Sequence, residues 1–183
     1  LISKDSGSFT NEVVPGEKAP PHVSCQGKPS QLHTTLRKKA MDLLARREHA
    51  VAELQQKVQA YAKKQDLDER EVTVVIEELI GDGLVSDERF TEAFVRYRRN
   101  NGYGPRRIQT ELRERGVSEK ISAAYLDFAD PQWLEQVAQV RRKRFGEDMP
   151  KDYKERARQA RFLQYRGFTT DQVRWVLAGD DLV

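Results

Sequence analysis

The chain has 183 residues, 33% of them charged and 38% hydrophobic, and a formal net charge of +3. It can bury one modest core or a row of smaller ones, and no apolar run approaches the roughly 18 residues that would span a bilayer. Its single cysteine, Cys25, excludes an intrachain disulfide framework, and three histidines leave little material for metal or nucleophilic chemistry.

The opening residues, LISKDSGSFTNEV, lack the basic start and apolar stretch of a secretory signal, so a cytoplasmic location is expected. Residues 1–33 are rich in Ser, Pro, Gly, Lys and Gln without a sustained apolar period. They read as a disordered tail or an appended segment. His22 and Cys25 have metal-ligand spacing but no two further ligands, so no zinc site is expected there.

Helical periodicity begins at Leu36. Leu36, Ala40, Leu43 and Leu44 share one face, and Val51, Leu54, Val58 and Tyr61 mark a second helix, with His49 expected to be exposed at its start. Asp68 and Glu71 have capping-box spacing for a third helix, whose stripe is Val72, Val75, Ile76, Leu79 and Ile80 before Gly81 and Gly83. The same order then recurs. Asp87 starts a helix with the stripe Phe90, Ala93, Phe94 and Tyr97, which the stretch from Asn100 to Gly104 breaks. Gly104 fits an N-cap, Pro105 the first helical position and Gly116 a left-handed C-terminal cap, with Ile108 and Leu112 facing inward. Ser118 opens a short helix carrying Ile121, Ala124, Tyr125 and Phe128.

A third round starts at Asp130-Pro131 and runs through Leu134, Val137, Ala138 and Phe145 to Gly146. Residues 150–166 form its middle helix, Gly167 stops it, and Thr169 with Gln172 caps a last helix carrying Val173, Val176 and Leu177. No segment reads as a strand. The fold class is therefore all-α: three tandem three-helix repeats, residues 34–85, 86–129 and 130–183. Each triplet is too small to bury a core alone, so they are expected to stack as an elongated, curved array.

Charge is segregated along this array. Residues 36–65 carry eight Lys/Arg against three acids, 66–95 two against ten, 96–120 eight against three, 121–140 none against three, and 141–166 ten against four. Alternating blocks suit a surface that meets a polyanion or an acidic protein at several points. They equally suit solvated helix faces.

Arg106 and Arg113, seven residues apart, project from the flank opposite Ile108 and Leu112, with Arg96 and Arg99 on the preceding helix and Tyr103 between the two glycines. Arg107 lies on the other flank beside Glu111. The block Arg141, Arg142, Lys143 and Arg144 is denser, and it also fits a helix C-terminus complementing its macrodipole. Arg158, Arg161, Phe162 and Tyr165 share a mixed basic and aromatic face, in which Phe162 reads as packing. Gly102 and Gly104 do not extend to a dinucleotide-binding GxGxxG loop, because Arg107 occupies the third position and no strand precedes them. RERGVSEKISAAY admits a helix-turn-helix reading, a DNA-binding regulator, but its second helix offers only Glu119 and Lys120 before turning apolar. No Ser/His/Asp or paired-carboxylate constellation follows from spacing, so neither an enzyme nor a cofactor nor a metal is expected.

LVSDERFTEAFVRYRRNNGYGPRRIQTELRERGV resembles the central signature of the RecX regulatory proteins, modulators of the RecA recombinase. LLARREHAVAELQQKV is similar to that family's first-repeat motif, and ARFLQYRGFTTDQVRWVL to its C-terminal one; the resemblance as a whole runs from about Leu36 to Leu177. Val85-Ser86-Asp87 departs from the family's frequent Leu-Asp-Asp. The resemblance implies a non-enzymatic, all-helical monomer that binds RecA filaments on single-stranded DNA. It also implies suppression of ATP hydrolysis, strand exchange and co-protease activity, with direct binding to single- or double-stranded DNA in some members. It supplies no catalytic residues to carry over.

Overall fold

A computed structural model describes residues 30–178. Among the described residues there are nine helices and no strand. They are α1 (Gln31–Leu44), α2 (Val51–Lys64), α3 (Arg70–Gly81), α4 (Asp87–Asn100), α5 (Pro105–Glu114), α6 (Glu119–Tyr125), α7 (Gln132–Phe145), α8 (Tyr153–Tyr165) and α9 (Thr170–Ala178). None is long and apolar enough to cross a membrane.

Local chemistry sets most boundaries. Orphan N–H groups in the first turn need an acceptor, and a hydroxyl or carboxylate just ahead of the helix supplies it. Ser86 Oγ accepts from the Arg89 N–H at 3.3 Å, Ser118 Oγ from Ile121 at 3.3 Å, and Asp152 Oδ1 from Glu155 at 2.7 Å. At α9 the capping box is reciprocal: the Gln172 N–H donates to Thr169 Oγ1 at 3.2 Å, and the Thr169 N–H to Gln172 Oε1 at 2.9 Å.

Several expectations are corrected at this level. The first helix begins at Gln31, because Ser30 Oγ accepts from the His33 N–H at 3.0 Å, so residues 31–33 are helical rather than tail. His22 and Cys25 lie outside the described residues. Asp68 Oδ1 takes the Arg70 N–H at 3.0 Å in place of a capping box with Glu71. α8 starts at Tyr153 behind its Asp152 cap, and α6 ends at Tyr125, short of Phe128.

Each consecutive trio packs on itself, but the cores number two. Leu36, Leu54, Val58, Val75 and Leu79 belong to a first-unit core, and Ile108, Leu112, Trp133, Val137, Leu163 and Phe168 to a second that runs continuously through the second and third units. The first unit thus has a core of its own, contrary to the expectation that no triplet would. Val51 N–H donates to Asp87 Oδ1 at 2.8 Å across the seam between α2 and α4, and Ala50 inserts into the second core.

Burial also departs from the simple stripes. Tyr97 is 63% exposed, and Ile80, Ala124, Tyr125 and Phe128 are exposed too. α4 buries Phe90 as expected, and Phe94 packs against the same core, but Thr91 and Val95 are buried in addition where α4 meets α5 and α6, and Tyr97 is left outside. His49 is buried, not exposed, with Nδ1 3.4 Å from the Glu53 carboxylate.

Candidate partner-binding site

The stretch from Asn101 to Leu112 positions the central candidates. Gly104 caps α5 in extended geometry, and Pro105 occupies its first turn, where a missing N–H costs nothing. Ile108 and Leu112 are fully buried, which fixes the rotation of α5 and leaves Arg106 and Arg113 exposed on the outer flank, as their spacing implies.

A backbone joint locks this segment to the α8–α9 corner. Gly104 N–H donates to the Arg166 carbonyl at 2.9 Å, and Arg106 N–H to the Gly167 carbonyl at 3.0 Å. A Cβ on Gly104 would sit 2.4 Å from the Gly167 carbonyl carbon, and one on Gly167 would sit 2.3 Å from Arg107 Cβ. Gly167 also holds φ +93°, so glycine is required on both conformational and steric grounds.

Around this joint, arginines surround one aromatic ring. The guanidiniums of Arg98, Arg107 and Arg166 lie 4.2, 4.7 and 5.2 Å from the centre of the Tyr103 ring. Glu111, 9% exposed, receives Arg98 on both oxygens and Arg107 Nε at 3.1 Å. Burial pushes the Glu111 carboxyl upward, but the two guanidiniums outweigh it and hold it below the ordinary range. Glu111 in turn raises Arg107. Arg107 thus belongs to an internal network, and its guanidinium also lies 5.3 Å from the 75%-exposed Tyr165 ring.

Other candidates separate the same way. Arg99 bonds Asp130 and Gln132, each at 2.9 Å, and stacks 4.1 Å from the Trp133 ring, fastening α4 to the start of α7. The Gln132 backbone N–H and Arg99 hold the Asp130 carboxyl below its usual value. Arg141 is 3% exposed; it bonds Gln159 at 3.2 Å, the Gly146 carbonyl at 3.3 Å and the carbonyls of Glu147 and Asp148. It is therefore removed from the surface set, because its donors are consumed closing the α7–α8 loop. Arg158 pairs with Glu155 at 2.9 Å and lies 5.4 Å from the Phe145 ring. Phe162 packs edge-on against Phe145, ring centres 5.3 Å apart, as its packing reading implies.

Arg96, Arg106, Arg113, Arg142, Lys143, Arg144 and Arg161 are exposed and have no carboxylate partner among the described residues. Sequence reasoning missed Arg98, Glu111 and Arg166 as a group: only the Arg107–Glu111 pair has a local signature, at i,i+4, whereas Arg98 and Glu111 are thirteen residues apart. Among the described residues no cluster of His, Cys, Asp and Glu could hold a metal ion.

Residues 86–126 match the model of the second three-helix domain of RecX, and residues 130–177 that of the third. A regulatory protein RecX of Halorhodospira halophila is 46% identical over 146 residues, covering 80% of this chain and 88% of that protein. The chain belongs to the RecX family. A RecX regulatory protein of Pseudomonas syringae pv. tomato is 39% identical, covering 79% of this chain and 90% of that one. The fold is shared with the crystal structure of RecX from Lactobacillus salivarius, with a TM-score of 0.67 at 21% identity, over 83% of this chain and 98% of that one. RecX membership places the Gly104–Gly167 joint between the second and third domains of the family.

Proposed function

We propose that this protein is a cytoplasmic regulator that binds RecA filaments on single-stranded DNA and inhibits their extension, ATP hydrolysis, strand exchange and co-protease activity. It thereby modulates recombinational repair and the SOS response. It acts as a monomer, by binding, without a cofactor or a chemical step of its own. RecX family membership supports the partner. The three repeat units are residues 34–85, with α1 reaching back to Gln31, 86–129 and 130–183.

The observation that carries the contact surface is the unpaired state of Arg106 and Arg113 on a helix whose rotation is fixed by two fully buried residues. A fixed helix spares the backbone ordering on binding, and each guanidinium presents a planar fork of donors that carboxylates or phosphates can meet with two hydrogen bonds. Arg96, Arg142 and Arg161 are further exposed cations without a carboxylate partner among the described residues, available as secondary contacts. Co-sedimentation with RecA filaments, with RecA ATPase followed over time, tests the reading on the parent and on Arg106→Glu/Arg113→Glu. The double variant should keep its helicity and lose most of its inhibition. Undiminished inhibition by that variant at moderate salt would move the contact away from α5.

A further inference from the structure

We propose that the cleft between α5, α9 and the α6–α7 loop is an anchor pocket: it takes a large apolar side chain of a protein partner, while a carboxylate next to that side chain meets Arg106. The proposal rests on the reading of Arg106 as a contact and adds what lies beside it. The cleft measures about 650 Å³, within the range of about 300–1,000 Å³ typical of ligand pockets. Phe128 and Trp175 are both exposed on its walls, and the half-buried Leu134 joins them. Scattered single apolar residues on a surface are ordinary. Here two aromatic side chains from separate segments line one cleft, and neither belongs to either core. Tryptophan and arginine are also the residue types on which interface energy concentrates.

The walls are fixed before any partner arrives. The Gly104–Gly167 joint sets α5 against the α8–α9 corner, the Arg106 N–H itself donating to the Gly167 carbonyl at 3.0 Å. The loop that carries Phe128 is tied down along its length. Trp133 Nε1 donates to the Asp127 carbonyl at 2.7 Å, Gln172 Nε2 to the Phe128 carbonyl at 3.3 Å, and Arg99 to Asp130 at 2.9 Å. A preformed pocket spares a partner the cost of ordering it.

The charge of Arg106 has no structural use in the fold. It stands in the first turn of α5, where the helix dipole disfavours a cation, and that turn holds no acid. The two carboxylates of the lining are already matched. Asp130 accepts from Arg99 and from the Gln132 N–H, each at 2.9 Å, and Asp171 complements the first turn of α9 and lies 3.6 Å from Arg174. The unmatched charge of the cleft is therefore positive and single, which fits one carboxylate beside an apolar side chain. A nucleic-acid strand fits it poorly, because every nucleotide would bring a phosphate to a rim that holds two carboxylates.

The chain has two tryptophans, Trp133 fully buried and Trp175 exposed, so acrylamide quenching of the full chain reports on Trp175. The titrants are the acetylated, amidated peptide Gly-Ser-Asp-Phe-Ser-Gly, its Asp→Lys and Phe→Gly forms, and a short single-stranded oligonucleotide. No recombinase is present, so the titration succeeds or fails independently of RecA binding. The unaltered peptide should saturate, shift the Trp175 emission to the blue and reduce its quenching, and each altered peptide should bind about fivefold or more weakly. Arg106→Gln and Phe128→Ala should each weaken the unaltered peptide by a similar factor with circular dichroism unchanged. Lys120→Gln, which removes an exposed cation outside the cleft, should leave it within about twofold. The proposal is overturned if the unaltered peptide does not saturate or leaves the quenching as it was, or if the altered peptides bind as tightly. It is equally overturned if folded Arg106→Gln and Phe128→Ala bind as the parent chain does, or if the oligonucleotide displaces the peptide.

Discussion

At the scale of single residues, buried carboxylates do more for this protein than its many surface charges. Glu111 accepts from two arginines while 9% exposed, so Glu111→Gln leaves Arg98 and Arg107 without their counter-charge. Charge-assisted hydrogen bonds are worth about 1.5–3 kcal/mol, and a loss of roughly that size in a urea melt is expected. A change within about 0.5 kcal/mol, the usual range for surface substitutions, would show that the network is incidental. Glu53 and His49 contribute to the acid limb of stability in two separate pH ranges, Glu53 alongside the depressed carboxylates Glu111 and Asp130. Burial raises Glu53, but hydrogen bonds from Arg47 and Lys57 prevail and bring its carboxyl from 4.5 to about 2. Its contribution is complete above the unfolded value of 4.5 and is lost as pH falls from there toward 2. Burial, then Arg47, holds His49 below its ordinary 6.5, so the unfolded chain takes up that proton more readily, and stability also declines as pH drops through 6.5. The melting temperature should therefore fall in two stages on acidification. His49→Gln should remove the upper stage and keep the lower, as pH-resolved circular dichroism melts would record.

At the scale of elements, the decisive feature is the backbone joint between the start of α5 and the α8–α9 corner. Gly167→Ala puts a methyl 2.3 Å from Arg107 Cβ on a residue at φ +93°. Strain in such a conformation costs about 1–3 kcal/mol before the clash is counted. Both the second and third units should loosen together, with faster hydrogen exchange in α5 and α9 and little change in α1–α3. Leu112→Ala acts on the same shared core by another route. A fully buried leucine truncated to alanine costs about 2–5 kcal/mol, so this variant should lose inhibition by unfolding. Arg106→Glu/Arg113→Glu should lose it while folded, and thermal melts distinguish the two.

At the scale of the whole molecule, the chain behaves as one small core beside one larger core. The first unit meets the rest through Ala50, the Val51–Asp87 bond, Arg89, which bonds Glu48 at 3.3 Å and the Gly83 carbonyl at 2.8 Å, and the close approach of Gly116 to Ala52. Elements with few cross-contacts open separately. Leu54→Ala, at a fully buried position of the first core, should raise hydrogen exchange in α1–α3 while α5, α7 and α9 keep their protection. Uniform loss of protection across all nine helices would mean that the described residues unfold as a single cooperative unit.

Periodicity and cap chemistry by themselves determined the helices, because both are local: Ser86, Ser118 and the Thr169–Gln172 box act within four residues of themselves. The exposure of Arg106 and Arg113 was legible for the same reason, since Ile108 and Leu112 fix the rotation of α5. The three quoted motifs carried the family. Contacts between segments distant in the chain were decided only by the tertiary structure. Arg141 stands in a basic run that looks solvated, yet the α7–α8 loop folds over it and uses its donors. Tyr97 falls on an apolar stripe but is left outside, because α5 and α6 cover a neighbouring strip of α4. Gly104 and Gly167 each explain themselves locally as a cap and a stop, and nothing in their own neighbourhoods says that their backbones must touch. The merging of the second and third cores follows from that touch, because only two residues without Cβ atoms let the segments approach closely enough to exchange backbone hydrogen bonds.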